Sequence, residues 1–139
     1  MKRIINWGLI GLGNASLNLA KEFNNLDNSK LYAVASRTKE KRDYFKKKFN
    51  LKKKDIYSNY SSIFKNQNID IVYIGLPNSM HEKFCLEALK YNKNVLVEKP
   101  ITINFKVFRK IKKEFKKKNL LIEEGTANKF HPFYQNAID

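Results

Sequence analysis

Short apolar runs typical of β-strands alternate with helical patterns along almost the whole chain of 139 residues. In each helical pattern, apolar residues recur every three to four positions and lysines occupy the opposite face. Because two parallel strands need a crossover connection, this alternation predicts an α/β fold with a parallel sheet and helices on both faces. The predicted strands span residues 4–10, 31–35, a short segment near 56, 71–74, 95–97 and 120–122. The predicted helices span residues 15–23, 39–49, 61–65, 81–91 and 105–118.

Six strands match a complete doubly wound sheet, the Rossmann architecture. In such sheets ligands bind outside the carboxyl ends of the strands, so the residues just after each strand are the candidate site. No Pro-rich linker, Gly/Ser tract or internal repeat divides the chain. We therefore predict one domain over residues 1–125, with residues 126–139 starting a crossover to further structure.

A glycine-rich turn follows the first predicted strand and opens the first helix. Gly11 permits a tight turn, and Gly13 lets the backbone approach a pyrophosphate. The amides around Asn14 and Ala15 would direct the helix dipole at that anion. Ser16 replaces the usual third small residue and still allows close packing between helix and strand. The turn therefore predicts a dinucleotide-binding site.

The end of the second strand bears on which dinucleotide binds. Folds that prefer NAD(H) carry an Asp or Glu there, which accepts hydrogen bonds from the ribose 2′-hydroxyl. This chain has Ser36, Arg37 and Thr38 instead. Arg37 can pair with a 2′-phosphate or stack on adenine, and both hydroxyls can bond to the same phosphate. A helix cap at Thr38 and a plain surface position for Arg37 are the alternatives. The segment favours NADP(H), with NAD(H) as the alternative cofactor.

The loop after the fourth strand passes through Pro77 into a polar pair and a helix. Asn78 can reach a cofactor or cap that helix, and from spacing alone we expect the cap. His81 falls in the first helical turn, where a solvent-facing or capping position and a cofactor contact are equally compatible with the spacing. This loop is a third candidate contact with the dinucleotide.

The fifth strand ends in Glu98, Lys99 and Pro100, at the edge where a nicotinamide ring would lie. A lysine there can orient a substrate hydroxyl and assist its proton transfer. A Lys-Pro pair alone is more often a surface turn, but its position after a central strand favours a catalytic role for Lys99. We place Glu98 among the cofactor-binding candidates and expect a cis peptide between Lys99 and Pro100.

Four blocks of the sequence resemble, in order and at similar intervals, the glucose-fructose oxidoreductase and inositol dehydrogenase family, often written Gfo/Idh/MocA. They are WGLIGLG at residues 7–13, ASR at 35–37, LPNSMH at 76–81 and VEKP at 97–100. A fifth block, EGTANKFHP at 124–132, is similar to the crossover segment of the branch that contains sugar and dihydrodiol dehydrogenases. Together the blocks cover nearly the whole chain.

The resemblance implies hydride transfer between a nicotinamide cofactor and the carbinol carbon of a sugar or cyclic polyol. It implies that Lys99 is the catalytic-site lysine, that Pro77 and Asn78 line the nicotinamide end, and that His81 lies near the cofactor. Family members continue into a second α/β domain that holds the substrate, supplies a catalytic histidine and usually forms the oligomer interface. We expect that domain to be absent, and the isolated chain to be inactive.

A non-catalytic module is the alternative function. In that reading the chain is a truncated or split product that binds a dinucleotide and acts by docking to a partner chain. The apolar residues Phe130, Phe133 and Tyr134 are candidates for contact with such a partner or with a second copy of the chain.

The net charge of +15 raises the question of a nucleic-acid partner. The lysines fall mainly on helix surfaces, whereas base-edge recognition favours arginine forks, and the chain has few arginines. We interpret the lysines as solvated helix faces and expect no nucleic-acid partner.

Three further features of the sequence bear on the cellular location of the protein. No apolar run is long enough to span a membrane, and the first residues lack the pattern of a signal peptide. The single cysteine, Cys85, falls on an apolar helix face, where we expect it to be part of the core. No metal site is predicted. We expect a cytoplasmic protein without a membrane partner.

Overall fold

The alternation of strands and helices is present over residues 3–126, the part of the chain that this computed structural model describes. The strands are β1 (Ile5–Ile10), β2 (Ser29–Ala35), β3 (Ile56–Tyr57), β4 (Ile71–Ile74), β5 (Asn94–Val97) and β6 (Ile122–Glu124). The helices are α1 (Asn14–Glu22), α2 (Lys39–Lys48), α3 (Ser61–Lys65), α4 (Asn78–Lys90) and α5 (Phe105–Lys117). Short 3-10 turns follow α1 at Phe23–Asn25 and precede β3 at Lys53–Asp55. Most of the fifth sequence block, and the apolar residues Phe130, Phe133 and Tyr134, lie outside the described residues.

The six strands form one parallel sheet in the order β3-β2-β1-β4-β5-β6. The chain starts in the middle of the sheet, builds outward to β3, and then returns to the other side of β1 to place β4. At that return the connecting helices change faces, which leaves a crevice at the carboxyl ends of β1 and β4. This order confirms the predicted doubly wound sheet and places the crevice between the loops after β1 and β4.

Two apolar cores cover the two faces of the sheet. Helices α3, α4 and α5 cover one face, where Val72 and Ile74 of β4 are fully buried. Helices α1 and α2 cover the other face, onto which Tyr73 of β4 projects. Because successive strand residues point to opposite faces, a central strand must be apolar throughout, as β4 is. Cys85 is fully buried in the first core, as expected.

Three elements begin two or more residues away from the predicted start. Strand β6 begins at Ile122 rather than at residue 120, and Leu121 just before it is 66% exposed. Strand β2 begins at Ser29, two residues before the predicted start. The backbone of Ser29 pairs with Ile5, although the Ser29 side chain adds little to the core. Helix α4 begins at Asn78 rather than at residue 81, directly after Pro77. Apolar periodicity locates buried faces, whereas backbone pairing sets where an element ends.

Within residues 3–126, no helix is both long and apolar enough to cross a membrane.

Candidate functional site

The turn between β1 and α1 is held in direct backbone contact with the end of β4. Gly11 has a φ of +79°, and a Cβ added there would lie 2.3 Å from the carbonyl oxygen of Gly75. Ser16, fully buried on α1, donates a hydrogen bond to the carbonyl oxygen of Gly11. A Cβ added at Gly75 would in turn lie 2.6 Å from the Ser16 hydroxyl. The two glycines and the small serine thus allow three backbone segments to meet in the crevice.

Gly13, unlike Gly11, faces open space. A Cβ built on it would meet nothing within 4 Å, and Gly13 occupies the N-cap position of α1 without a capping side chain. Asn14 and Ala15 in the first turn are exposed, and that turn carries no acidic residue. Because the first amides of a helix have no acceptor within it, this end presents N–H groups and a partial positive charge to open space. The arrangement fits a pyrophosphate.

The end of β2 forms a compact turn under an exposed arginine. Ser36 is buried, and its hydroxyl accepts a hydrogen bond of 3.2 Å from the Thr38 amide. Arg37 is exposed, with its guanidinium carbon 5.8 Å from the centre of the Tyr60 ring. Thr38 occupies the N-cap position of α2, as the capping alternative predicts, but its side chain makes no capping hydrogen bond. The turn leaves the Arg37 guanidinium accessible for a phosphate.

Arg42 supports the same turn and was missed by the sequence reasoning. Its guanidinium donates to the carbonyl oxygen of Ser36 at 2.6 Å and to that of Arg37 at 3.0 Å. The signal was its position four residues after Thr38, which places it on the same side of α2 as the start of the helix. Two guanidinium groups therefore lie at the end of β2.

The loop after β4 is placed at the crevice as predicted, but its helix start differs. Pro77 is the N-cap residue of α4, and Asn78 is the first residue inside the helix. The Asn78 side chain makes no capping hydrogen bond, so the expected Asn78 cap is wrong. A capping side chain acts from the residue before the first helical turn, and proline occupies that position here. Both Pro77 and Asn78 are exposed at the carboxyl edge.

His81 lies behind the two loops of the site. The ring is fully buried, so the expectation of a solvent-facing position is wrong, as is that of a capping role. Its Nδ1 lies 2.7 Å from the carbonyl oxygen of Pro100, and its Nε2 lies 2.7 Å from that of Leu76. His81 therefore joins the loop after β4 to the loop after β5, and both ring nitrogens are occupied by these contacts.

Glu98 and Lys99 follow β5 at the same edge. The Glu98 amide continues the ladder to the carbonyl oxygen of Ile74, and its carboxylate accepts a hydrogen bond of 2.5 Å from the Tyr73 hydroxyl. The Lys99 side chain is exposed, and the Lys99–Pro100 peptide is cis, as expected. An exposed lysine thus follows an anchored glutamate at the carboxyl end of β5.

The strand order brings these groups to one edge. The turn after β1 lies in the middle, the Arg37 turn lies on one side after β2, and the loops of Asn78 and Lys99 lie on the other side after β4 and β5. From β2 to β5 there are three inter-strand steps, or about 14 Å. One end of this edge carries guanidinium groups, the middle carries helix amides, and the other end carries the lysine.

Comparison with known proteins agrees with this arrangement. A family model described as Gfo/Idh/MocA, an oxidoreductase family with an NAD-binding Rossmann fold, matches residues 5–126. Trans-1,2-dihydrobenzene-1,2-diol dehydrogenase of Xenopus laevis is 30% identical over 131 residues, which cover 93% of this chain and 39% of that protein. The human enzyme of the same name is 26% identical over 130 residues.

Solved structures share the fold of this chain. Scyllo-inositol dehydrogenase from Lactobacillus casei shares the fold with a TM-score of 0.89 at 24% identity, over 99% of this chain and 41% of that one. The aldose-aldose oxidoreductase of Caulobacter crescentus superposes with a TM-score of 0.87 at 26% identity, over 98% of this chain and 42% of that one. This chain therefore spans about two fifths of the length of these relatives. Its match over residues 5–126 places it in the Gfo/Idh/MocA family of oxidoreductases, as a dinucleotide-binding Rossmann domain.

Proposed function

We propose that the carboxyl edge of this sheet binds NADP(H) in preference to NAD(H), for hydride transfer to or from a CH–OH group of a sugar or cyclic polyol. The observation that carries the cofactor preference is the exposed Arg37 at the end of β2, where an NAD-specific fold has an acidic side chain. The bound nicotinamide would supply the hydride chemistry.

The pyrophosphate would lie against the first turn of α1. The open space at Gly13 admits the two phosphates to the amides of Asn14 and Ala15, which the helix dipole reinforces. Glycine at this position is not needed for packing within residues 3–126, because its Cβ would touch nothing there. Open space at an anion-attracting helix end is what a bound pyrophosphate requires.

The 2′-phosphate would lie at the end of β2. The Arg37 guanidinium is accessible there, and Arg42 adds a second positive charge while it holds the turn by its two carbonyl contacts. The hydroxyl of Ser36 accepts from the Thr38 amide, so its own hydrogen remains to be donated to a phosphate oxygen. Charge-assisted hydrogen bonds of this kind are about twice as strong as neutral ones.

At the other end, Lys99 would act on the substrate. Its exposed ammonium can donate a hydrogen bond to the reacting hydroxyl or carbonyl oxygen and can exchange a proton with it. Pro77 and Asn78 would line the nicotinamide, Glu98 would anchor the neighbouring part of the cofactor, and His81 would fix the two loops relative to each other. The sugar or polyol class rests on the names of the related enzymes and on the lysine, which suits an alcohol substrate.

Titration of the purified chain with NADPH and with NADH, followed by fluorescence, tests this function. We expect NADPH to bind more tightly than NADH. Arg37→Asp should lower the affinity for NADPH by about 100-fold, because a charge-assisted pair is lost and a repulsive charge is added. The affinity for NADH should fall by less than about threefold. Lys47→Asp, the same charge reversal at an exposed position in the last turn of α2, is the control. Equal affinity for the two dinucleotides, unchanged by Arg37→Asp, would contradict the preference for NADP(H).

A further inference from the structure

Tyr73 is a core tyrosine whose hydroxyl contacts Glu98, the residue before Lys99. The residue lies on β4, is 3% exposed, and packs on the face covered by α1 and α2. Its hydroxyl donates to Oε1 of Glu98, 25 residues further along the chain, over 2.5 Å. A buried tyrosine hydroxyl needs a partner, and here the partner is the residue before Lys99.

Glu98 is held from several directions. Its amide donates to the carbonyl oxygen of Ile74 over 3.1 Å, which extends the pairing of β4 and β5 by one residue. Its carboxylate is half-buried beside Gly125, where an added Cβ would lie 3.4 Å from Oε1. The Tyr73 hydroxyl is the side-chain donor that fixes this carboxylate in position.

The Tyr73 ring depends on Gly75 for its place. A Cβ on Gly75 would lie 2.7 Å from Cε1 of Tyr73, so any larger residue would displace the ring or the turn. Gly75 also contacts Gly11 through its backbone. A continuous packed path therefore runs from the turn at Gly11, through Gly75 and Tyr73, to Glu98.

The hydroxyl of Tyr73 stays protonated at ordinary pH. Burial, reinforced by the hydrogen bond to Glu98 and by its charge, raises the pKa of this phenol above its usual value. Tyr73 therefore acts as a permanent hydrogen-bond donor and takes no part in proton exchange.

We propose that Tyr73 is a positioning residue for the nicotinamide end, which fixes the Glu98 carboxylate and, through it, the loop that carries Lys99. The inference rests on the proposed function, because it assigns to Tyr73 an effect on the dinucleotide that Tyr73 itself does not touch. A purely structural hydrogen bond would affect unfolding and leave the affinity of the folded protein unchanged. The two roles are therefore separable by experiment.

The test is Tyr73→Phe, which removes the hydroxyl and keeps the ring. The matched control is Tyr57→Phe, since the Tyr57 hydroxyl also forms a half-buried hydrogen bond, 2.9 Å from Nδ2 of Asn66. Both variants are titrated with NADPH and NADH at a temperature where circular dichroism shows them folded. We expect Tyr73→Phe to lower the affinity for both dinucleotides by about tenfold. Tyr57→Phe should lower it by less than about twofold.

A double-mutant comparison tests whether the effect passes through Glu98. In a Glu98→Ala background, Tyr73→Phe should weaken binding by less than about twofold, because the group that it positions is gone. An effect of Tyr73→Phe that is equal with and without the Glu98 carboxylate would overturn the inference, as would unchanged affinity in the single variant. Failure of the unsubstituted chain to bind either dinucleotide would overturn the proposed function and the role of Tyr73 together. Normal binding that is insensitive to Tyr73→Phe overturns the role of Tyr73 alone.

Discussion

Gly11 and Gly13 are the same residue type in one turn, and the structure requires them for different reasons. Gly11 is needed by the fold, because it combines a positive φ with the close approach of Gly75. Gly13 has an extended backbone and open surroundings, so the fold itself tolerates a side chain there. The sequence pattern does not distinguish the two residues. The geometry shows that Gly11 is required by the fold, whereas Gly13 leaves space for a ligand.

Gly11→Ala should therefore destabilise the protein strongly. The left-handed backbone costs about 1–2 kcal/mol for a residue with a Cβ, and the contact with the Gly75 carbonyl adds a similar amount. We expect a loss of about 2–4 kcal/mol in the free energy of unfolding, measured by urea denaturation. Gly125→Ala, whose Cβ meets its nearest neighbour at 3.4 Å, is the control and should cost less than about 1 kcal/mol. A similar cost for the two substitutions would contradict this account of Gly11.

The positions of the candidate residues at the strand ends were predictable where the signal is local. The glycine turn, the arginine at the end of β2 and the lysine after β5 are each identified by a few neighbouring residues and a strand end. The contacts of His81 with Pro100, and of Tyr73 with Glu98, join residues 19 and 25 positions apart. Helical spacing and strand alternation carry no information on such pairs, so these roles needed the tertiary structure.

At the scale of elements, two helices begin in different ways. Asn104 caps α5, where its side-chain oxygen accepts hydrogen bonds from the amides of Lys106 at 3.0 Å and Val107 at 3.3 Å. Thr38 occupies the same position at α2 without such a bond. A residue type suited to a cap is therefore not evidence that the cap is formed.

Asn104→Ala should lower the free energy of unfolding by about 1 kcal/mol, because two amides of α5 lose their acceptor. Thr38→Ala should lower it by less than about 0.5 kcal/mol, since no capping bond is lost. Thermal or urea unfolding of the two variants measures the difference. Equal losses would show that the side-chain bonds described for the two helix starts do not determine their stability.

The number of strands and their succession along the chain were predicted, as were the bounds of β4, whereas β2 and β6 begin two residues away from their predicted starts. Among the described residues, strand β6 lies at the edge of the sheet and pairs with Val95, Leu96 and Val97 of β5. Because residues 120 and 121 are apolar, the strand was predicted to begin at residue 120. Leu121 is nevertheless 66% exposed and lies outside the strand. An edge strand needs no buried face at every position, and its bounds follow its pairing with β5.

At the scale of the whole molecule, the strand order decides what the side chains can do together. The sheet brings the ends of β2, β1, β4 and β5 to one edge in that order. Arg37, the first turn of α1 and Lys99 then follow one another as a cation, a set of amides and a second cation. Many of the other lysines in the described residues lie on helices, and we interpret them as solvated faces.

The central claim is that a dinucleotide lies across this edge with its pyrophosphate at Gly13. Calorimetric titration of NADPH into the unsubstituted chain and into Gly13→Asp tests it most directly. An aspartate at an N-cap accepts bonds from first-turn amides, so the variant should unfold at or above the original temperature. Its carboxylate would occupy the anion site, and we expect affinity for NADPH to fall by at least about 100-fold. A stable Gly13→Asp variant that binds NADPH as tightly as the unsubstituted chain would contradict the account.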